Sequence, residues 1–196
     1  MDVEADASVL SRCPELPRHL WTVEEYHRMG EVGLLDADAR VELIEGVIVE
    51  MAPIGDAHAA ISNRLNRLLV LAVGERGIVA VGNPIRLSGH SEPQPDFSVL
   101  RPRAEYQTRG PRPEDVMLAV EVSDMTLRRD RRVKHALYAS AGIPEFWIVN
   151  LEAKEVEVYR LPAADAYSVV DRKRPGDVAT IEALPGVAIA ISQILG

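Results

Sequence analysis

Residues 116–150 read VMLAVEVSDMTLRRDRRVKHALYASAGIPEFWIVN, and this stretch predicts a strand, a helix and a second strand. The near-continuous apolar run Val116–Val122 is typical of a central strand that is covered on both faces. Apolar residues then recur with helical spacing from about Leu127 to Ala141. The segment EFWIVN at 145–150 has the composition of another buried strand. We therefore expect two buried strands joined by a helix.

The flanking sequence adds further short elements. Thr22 and Glu25 form a capping box for a short helix, and RVELIEGVIVEM at 40–51 predicts a strand, a tight turn and a second strand. Asp56 can cap a long helix at 57–73. Additional strands are expected at 78–81, 85–87, 97–100, 155–160, 167–171 and 178–181, with a last helix at 192–195. The sequence thus predicts an α/β or α+β fold, a mixed β-sheet flanked by helices.

Length and composition bound the class of protein. The 196 residues suit one domain, which we assign to residues 20–196 after a flexible tail at 1–19. The net charge of −8 argues against a protein that coats nucleic acid through bulk charge. The single cysteine excludes a disulfide framework and a zinc site built on several thiolates. Because the sequence has neither a run of about 18 apolar residues nor a signal-peptide core, we expect no membrane association and a cytoplasmic location.

Two carboxylates stand at positions of chemical interest. Glu121 ends a strand expected to be buried, where a carboxylate is costly unless it is paired or binds a metal. On that strand Met117, Ala119 and Glu121 should share one face. The alternative for Glu121 is a structural salt bridge or a strand end that meets water. Asp96 follows Pro95 at the entry to another strand, where an aspartate alone most simply serves as a turn residue.

The helix after Glu121 carries a second pair of charged residues. At 100° per residue, Asp130 and Lys134 fall on the apolar stripe that must face the sheet. One interpretation is an ion pair that braces the start of the helix. We favour a lysine aimed at a site near the end of the Glu121 strand, because that strand leads directly into the helix.

The same helix is also strongly basic over residues 128–134. Within residues 128–134, five basic residues stand against one acid. Arg128, Arg131 and Arg132 are therefore candidates for contacts to DNA phosphates, with a solvated helix face as the alternative. The preceding loop offers a second candidate group, namely Arg101, Arg103, Arg109 and Arg112.

Several motifs occur in a fixed order along the chain. They are Pro95-Asp96, Glu121-Val122-Ser123, Asp130 followed by Lys134, and GIPEFWIVN at 142–150. This order resembles the Uma2 family of restriction-endonuclease-like proteins in the PD-(D/E)XK nuclease superfamily. The resemblance extends over about Leu20 to Leu195 and includes VELIEGVIVEM, His58 and LPGVAIAISQIL. It implies a restriction-endonuclease-like core and magnesium-dependent cleavage of phosphodiester bonds.

The resemblance also assigns roles by position. Asp96 and Glu121 would ligate Mg²⁺, for which Mn²⁺ can substitute. The superfamily lysine normally stands two residues after the glutamate, where this sequence has Ser123. Lys134 on the following helix is the natural replacement, and it would orient the attacking water or stabilise developing negative charge. A role as general base stays open as well, and it would need the pKa of Lys134 to be lowered by burial or by the metal, against the effect of Asp130. Three further residues are expected to support the site: Glu42, Asp130 and His58.

The main hypothesis is therefore a Mg²⁺-dependent DNA endonuclease, acting as a homodimer because each site cuts one strand. One alternative is a nuclease-fold module that binds nucleic acid or a partner without catalysis, favoured by Ser123 and by the net negative charge. Another is hydrolysis of a different phosphodiester, such as RNA. Metal binding by Asp96 and Glu121 discriminates the enzyme from the binding module. His58 stays open between a phosphate contact, an acid and a helix cap.

Overall fold

The computed structural model describes residues 17–36 and 38–196. Almost all of the predicted tail at 1–19 lies outside the described residues, and residues 17–19 belong to no helix or strand. In chain order the elements are α1 Val23–Glu31, β1 Val41–Ile44, β2 Val47–Glu50, α2 Asp56–Val73, β3 Ile78–Val81, β4 Phe97–Leu100, β5 Val116–Ser123, α3 Leu127–Arg129, a π-helical segment Asp130–Lys134, α4 His135–Ser140, β6 Glu145–Asn150, β7 Glu155–Ala163, β8 Ala166–Lys173, β9 Val178–Thr180, β10 Ala188–Ala190 and α5 Ile191–Leu195.

A six-stranded sheet in the order β3-β4-β5-β6-β7-β8 forms the centre of the fold. Strands β5 and β6 pair in parallel, and the other neighbouring strands pair antiparallel. A parallel pair needs a crossover connection, and the helical segments from 127 to 140 supply it. Every residue of β5 and β6 is buried. This architecture confirms the predicted mixed sheet flanked by helices.

The two faces of the sheet build separate apolar cores. On one face, helix α2, helix α5 and the β9–β10 hairpin cover residues such as Val120 and Trp147. On the other face, helix α4 brings Tyr138 against Phe146 and Ile148. Burial of this many large apolar side chains, each contributing roughly 1.5–3 kcal/mol, fixes both layers on the sheet. Within residues 17–36 and 38–196, the helices all lack the length and apolar character needed to cross a bilayer.

A register shift changes the face of the sheet on which one residue of β5 lies. The pairing of β4 with β5 shifts between Val99 and Leu100. Met117 therefore packs in the same core as its neighbour Leu118, whereas Ala119 lies in the core of the opposite face. The expectation that Met117 shares a face with Ala119 and Glu121 was wrong, because a bulge breaks the simple alternation of strand side chains.

The predicted strand at 85–87 is absent from the described chain. The amides of Ile85 and Leu87 donate to the carbonyls of Pro93 and Ser91, which gives a local turn-like pairing. A regular ladder cannot continue from it, because Pro93 and Pro95 have no N–H to donate.

The ends of two other elements also differ from the prediction. Helix α2 begins at Asp56 itself, and its N-cap is Gly55 without a side-chain cap. Strand β9 pairs with β10, a strand that the sequence did not predict. Short strands such as β10, with three residues, give little periodicity from which to recognise them.

The predicted helix at 127–141 is present but is not regular. Its middle, Asp130–Lys134, is π-helical and lies between the α-helical turns Leu127–Arg129 and His135–Ser140. Such segments are uncommon, and they occur often at functional sites. This π-helical segment carries both charged residues that the sequence placed on the buried stripe, and both are buried as expected.

Candidate active site

A cleft of about 220 Å³ lies where β5 ends and the π-helical segment begins, and we call it the central cleft. Its walls are the loop at 51–55, which follows β2, and the loop at 124–126, which follows β5. Five of the residues predicted from the sequence line it together: His58, Asp96, Glu121, Asp130 and Lys134. Glu42, from β1, reaches the same place from behind Lys134.

Lys134 is buried between two carboxylates. Its Nζ lies 2.5 Å from Glu42 Oε2 and 3.2 Å from Glu121 Oε1. Burial alone would lower the pKa of this ammonium, but Glu121 and Glu42 together hold the pKa above its usual range. Lys134 is therefore held as a cation between the two carboxylates.

Glu121 is a buried carboxylate without enough positive charge around it. Tyr138 Oη donates a 3.0 Å hydrogen bond to Glu121 Oε1. Burial raises the pKa of Glu121 to about 8, against the opposing pull of Lys134 and with a further increase from Asp96. One ammonium faces several acids here, and it cannot compensate them all. An additional cation would relieve this imbalance.

Asp96 stands at the entry to β4 and is held in place from both sides. Its Oδ2 accepts a 2.6 Å hydrogen bond from the backbone N–H of Val122 on the neighbouring strand. Its Oδ1 lies 3.3 Å from Nε2 of His58, in the first turn of α2. The hydrogen bond to Asp96 raises the pKa of His58, although partial burial opposes this. His58 thus contacts Asp96 directly, a partner that the sequence did not reveal.

Asp130 ties the π-helical segment to the end of β5. The hydroxyls of Ser123 and Thr126 donate to Asp130 Oδ2 at 2.7 and 2.6 Å. Burial raises the pKa of Asp130, and these two hydrogen bonds oppose the rise. Ser123, which occupies the superfamily's usual lysine position, therefore anchors the segment that delivers Lys134. The Asp130–Lys134 ion pair considered from the sequence is not among the ion pairs of the described residues.

Glu42 and its surroundings include contacts that the sequence did not indicate. Glu42 is fully buried, and its Oε2 also accepts a 3.1 Å hydrogen bond from the backbone N–H of Gln94. Its Oε1 has no hydrogen-bond partner among the described residues, and the nearest guanidinium, Nη2 of Arg129, is 3.9 Å away. Tyr138, four residues after Lys134 on the same helical stripe, could have been suspected, whereas Gln94 and Arg129 gave no signal.

The donor set fits a hard divalent cation held by few ligands. Among residues 17–36 and 38–196, no group of three or more His, Cys, Asp or Glu side chains is arranged to hold a metal. Mg²⁺ is commonly bound by only one or two carboxylates and retains several waters. Asp96 and Glu121 supply two carboxylates to one cleft, and one oxygen of the nearby Glu42 has no hydrogen-bond partner among the described residues.

The predicted basic residues separate into two groups. Arg128 and Arg132 are exposed and line a groove beside the central cleft. Arg131 instead turns to the sheet, where its Nε donates to Glu157 Oε2 at 3.0 Å. Its guanidinium is occupied by a buried carboxylate, so the proposed phosphate contact by Arg131 is not supported. In the preceding loop, Arg103 and Arg109 likewise pair with the buried Asp115.

Comparisons with known proteins give a family for this chain and a solved structure of similar fold. The sequence profile of the Uma2 family, described as "Putative restriction endonuclease", matches residues 23–192. A crystal structure of "a putative nuclease belonging to DUF820" from Anabaena variabilis ATCC 29413 superposes with a TM-score of 0.65 at 16% identity, covering 89% of this chain and 97% of that one. At this identity the likeness concerns the fold alone. No curated protein matches the sequence. Because the profile covers most of the chain, this protein belongs to the Uma2 family.

Proposed function

We propose that the protein is a metal-dependent endonuclease that hydrolyses phosphodiester bonds of DNA. The observation that carries the proposal is the buried ammonium of Lys134 between Glu42 and Glu121, at the floor of the cleft that also holds Asp96. Phosphodiester hydrolysis needs a positioned water and positive charge at the phosphate, and this constellation supplies the groups for both. Membership of a family described as "Putative restriction endonuclease" supports the same activity.

Each residue has a distinct part in this proposal. Asp96 and Glu121 would hold Mg²⁺, or Mn²⁺ in its place, which when bound lowers the pKa of water and neutralises phosphate charge. The ammonium of Lys134, fixed by Glu42, donates hydrogen bonds to the attacking water or to a phosphate oxygen. His58 restrains Asp96 by the contact of its Nε2 with Asp96 Oδ1. Asp130 acts through Ser123 and Thr126 by fixing the segment that carries Lys134.

A nicking assay on supercoiled plasmid tests the proposal. Purified protein is incubated with Mg²⁺, Mn²⁺ or EDTA, and Asp96→Asn is compared with the matched carboxylate-to-amide change Glu75→Gln on the exposed surface. We expect cleavage by the wild type and by Glu75→Gln in either metal, none in EDTA, and a loss of at least about a hundredfold in Asp96→Asn. Circular dichroism establishes that both variants are folded.

Two outcomes would contradict the proposal. Cleavage that is equal in Asp96→Asn and in the wild type would indicate a contaminating nuclease. Absence of cleavage by folded wild type on supercoiled, linear and single-stranded DNA would favour the binding module without catalysis. RNA of the same sequence, tested in parallel, distinguishes a DNA substrate from another phosphodiester.

We further propose that the protein acts as a homodimer on duplex DNA. One cleft holds one set of these residues, so cutting both strands at one place needs two copies. Light scattering with and without DNA tests this proposal, and we expect a dimer in at least one of the two conditions. A monomer in both conditions would contradict it, and nicked rather than linear plasmid would then be the expected product.

A further inference from the structure

The mouth of the central cleft is apolar although its floor is charged. Ile54, on one wall, is 53% exposed, and Met125, on the other wall, is 85% exposed. The two loops face each other closely, since a Cβ atom placed on Gly55 would lie 3.9 Å from Asp124 Oδ2. Such exposed side chains contribute little to folding, and these two stand on opposite walls of one cleft, where a ligand that enters it can contact both.

A row of arginines continues from one side of this mouth. Met125 and Thr126 also line a second groove, of about 620 Å³, whose other residues are Arg128, Arg129, Arg132 and Val133. We call it the arginine groove. Positive charge here suits the phosphates of a strand that runs along the helix. Asp124, next to Met125 in the central cleft, disfavours a phosphate at the mouth itself and leaves that position to an uncharged group.

The parts of a nucleic acid that match an apolar mouth are the faces of its bases. In a duplex these faces are covered by stacking, and apolar side chains reach them only after the stack is opened at a cost in free energy. In an unpaired stretch the faces are already accessible, and the cost is smallest there.

We propose that the site takes DNA in which the nucleotides next to the cleaved bond are unpaired, with Ile54 and Met125 packing on their bases and the arginine groove holding the adjoining phosphates. The inference rests on the proposed nuclease function and deepens it. It makes Ile54 and Met125 determinants of substrate structure, and they take no part in the chemical step. Arg128 and Arg132 bind the strand without regard to its sequence.

Binding measured in EDTA tests this inference without cleavage. The probes are a fluorescein-labelled single strand, the same strand in a full duplex, and a duplex with a short unpaired loop, each followed by anisotropy. Wild type is compared with the double variant Ile54→Ser/Met125→Ser. The matched control is Leu71→Ser, an exposed apolar residue on α2 away from the cleft.

We expect the wild type and Leu71→Ser to bind the two probes with unpaired nucleotides about tenfold more tightly than the duplex. The double variant should lose that preference while its affinity for the duplex is unchanged, and thermal melting should show it folded. Equal binding of all three probes by the wild type, or an unchanged preference in the double variant, would overturn the inference.

Cleavage of the same three probes in Mg²⁺ separates this inference from the nuclease assignment. Cutting that depends on Asp96 but is equal on all probes leaves the nuclease in place and overturns the preference for unpaired nucleotides. Preference in EDTA with no cutting of any probe supports the strand-binding surface and contradicts the nuclease. Cutting of the looped duplex next to its unpaired nucleotides, weakened in the double variant, supports both.

Discussion

Two buried glutamates occupy one row of the central sheet and behave differently. Glu121 on β5 is opposite Ile148 on β6, and Ile148 is opposite Glu157 on β7. The same π-helical segment covers both, and it sends Lys134 to Glu121 and Arg131 to Glu157. The two carboxylates therefore share a residue type and a covering helix, both are buried, and they differ in how well their charge is compensated.

Glu157 is fully provided with hydrogen bonds. Arg131 forms a bidentate contact with it, Tyr159 Oη donates to Oε2, and Asn150 Nδ2 donates to Oε1 at 3.3 Å. Burial would raise the pKa of Glu157, but these donors, led by Arg131, hold the pKa below its usual range. Such a carboxylate needs no further cation, and its position is structural.

Glu121 is the opposite case, because burial raises its pKa to about 8 and its cation is shared with Glu42. Buried charge that is incompletely paired is costly, and a fold retains it most readily where function uses it. The comparison teaches that burial of an acid is not itself a sign of a site. The informative feature is the balance between acids and donors around it.

The largest expected effect is that of Lys134→Met. Removing the ammonium leaves Glu42 and Glu121 buried without their cation, so we expect a loss of about 3 kcal/mol in the free energy of unfolding. Cleavage per folded molecule should fall about a hundredfold or more. Urea unfolding and plasmid nicking measure the two effects. The exposed Lys154→Met serves as control, and equal stability of the two variants would break the comparison.

Glu157→Gln should affect stability and leave catalysis intact. It removes the charge that Arg131, Tyr159 and Asn150 bind, at a cost of about 1–3 kcal/mol. Cleavage per folded molecule should equal that of the wild type. Thermal and urea unfolding give the stability, with the largely exposed Glu182→Gln expected within about 0.5 kcal/mol of the wild type. If Glu157→Gln were as stable as the wild type but lacked nuclease activity, Glu157 would belong to the catalytic site, and the distinction between it and Glu121 would be wrong.

Two arginines of the covering helix should act in DNA binding, and a third should act in stability. Arg128→Gln/Arg132→Gln should weaken binding to single-stranded DNA and reduce the salt dependence of log K by roughly 0.7 for each phosphate that is no longer neutralised. Arg131→Gln should keep that salt dependence and lower the melting temperature instead, because its partner is Glu157. Anisotropy titrations over a range of salt, with melting curves, compare them. The opposite pattern would restore Arg131 as a phosphate contact.

The smallest expected effect is on how the free energy of unfolding declines at acid pH. The folded pKa of Glu157 is lowered relative to the unfolded value of about 4.3. Its ionised form therefore stabilises the protein above that value, and the contribution is lost as pH falls through the folded pKa. Unfolding free energies measured from pH 6 down to about pH 3 should decline less steeply in Glu157→Gln than in the wild type. Parallel curves would indicate that Glu157 is not specifically paired.

Much of the fold could be predicted from the sequence because its central elements carry strong patterns. The apolar runs of β5 and β6, the long helix α2 and the capping box of α1 were all expected close to where the structure has them. The sequence wrongly predicted a strand at 85–87 and missed strand β10. Prolines and pairing partners distant in sequence decide whether these segments form strands. The π-helical segment has no sequence signature in a pattern read at 100° per residue.

The sequence predicted which residues belong to the site better than it predicted the contacts between them. Glu121 was identified as a carboxylate at the end of a buried strand, Asp130 and Lys134 as charged residues on the apolar stripe of a helix, and the family resemblance added Asp96 and Glu42 to the site. Which arginine faces the sheet depends on the local turn of the π-helical segment, so Arg131 was grouped with the exposed arginines. Ser123 could be recognised as a departure from the superfamily pattern, whereas its hydrogen bond to Asp130 became visible only in three dimensions.

Binding of Mn²⁺ tests the central claim most directly, because the claim is that Glu121 belongs to a cation site and Glu157 does not. Free Mn²⁺ is counted by electron paramagnetic resonance as metal is titrated into wild type, Glu121→Gln and Glu157→Gln. The account predicts that the wild type and Glu157→Gln bind Mn²⁺ equally, while Glu121→Gln binds it at least about tenfold more weakly. A wild type that binds no Mn²⁺, or a Glu121→Gln variant that binds it as the wild type does, would contradict the account.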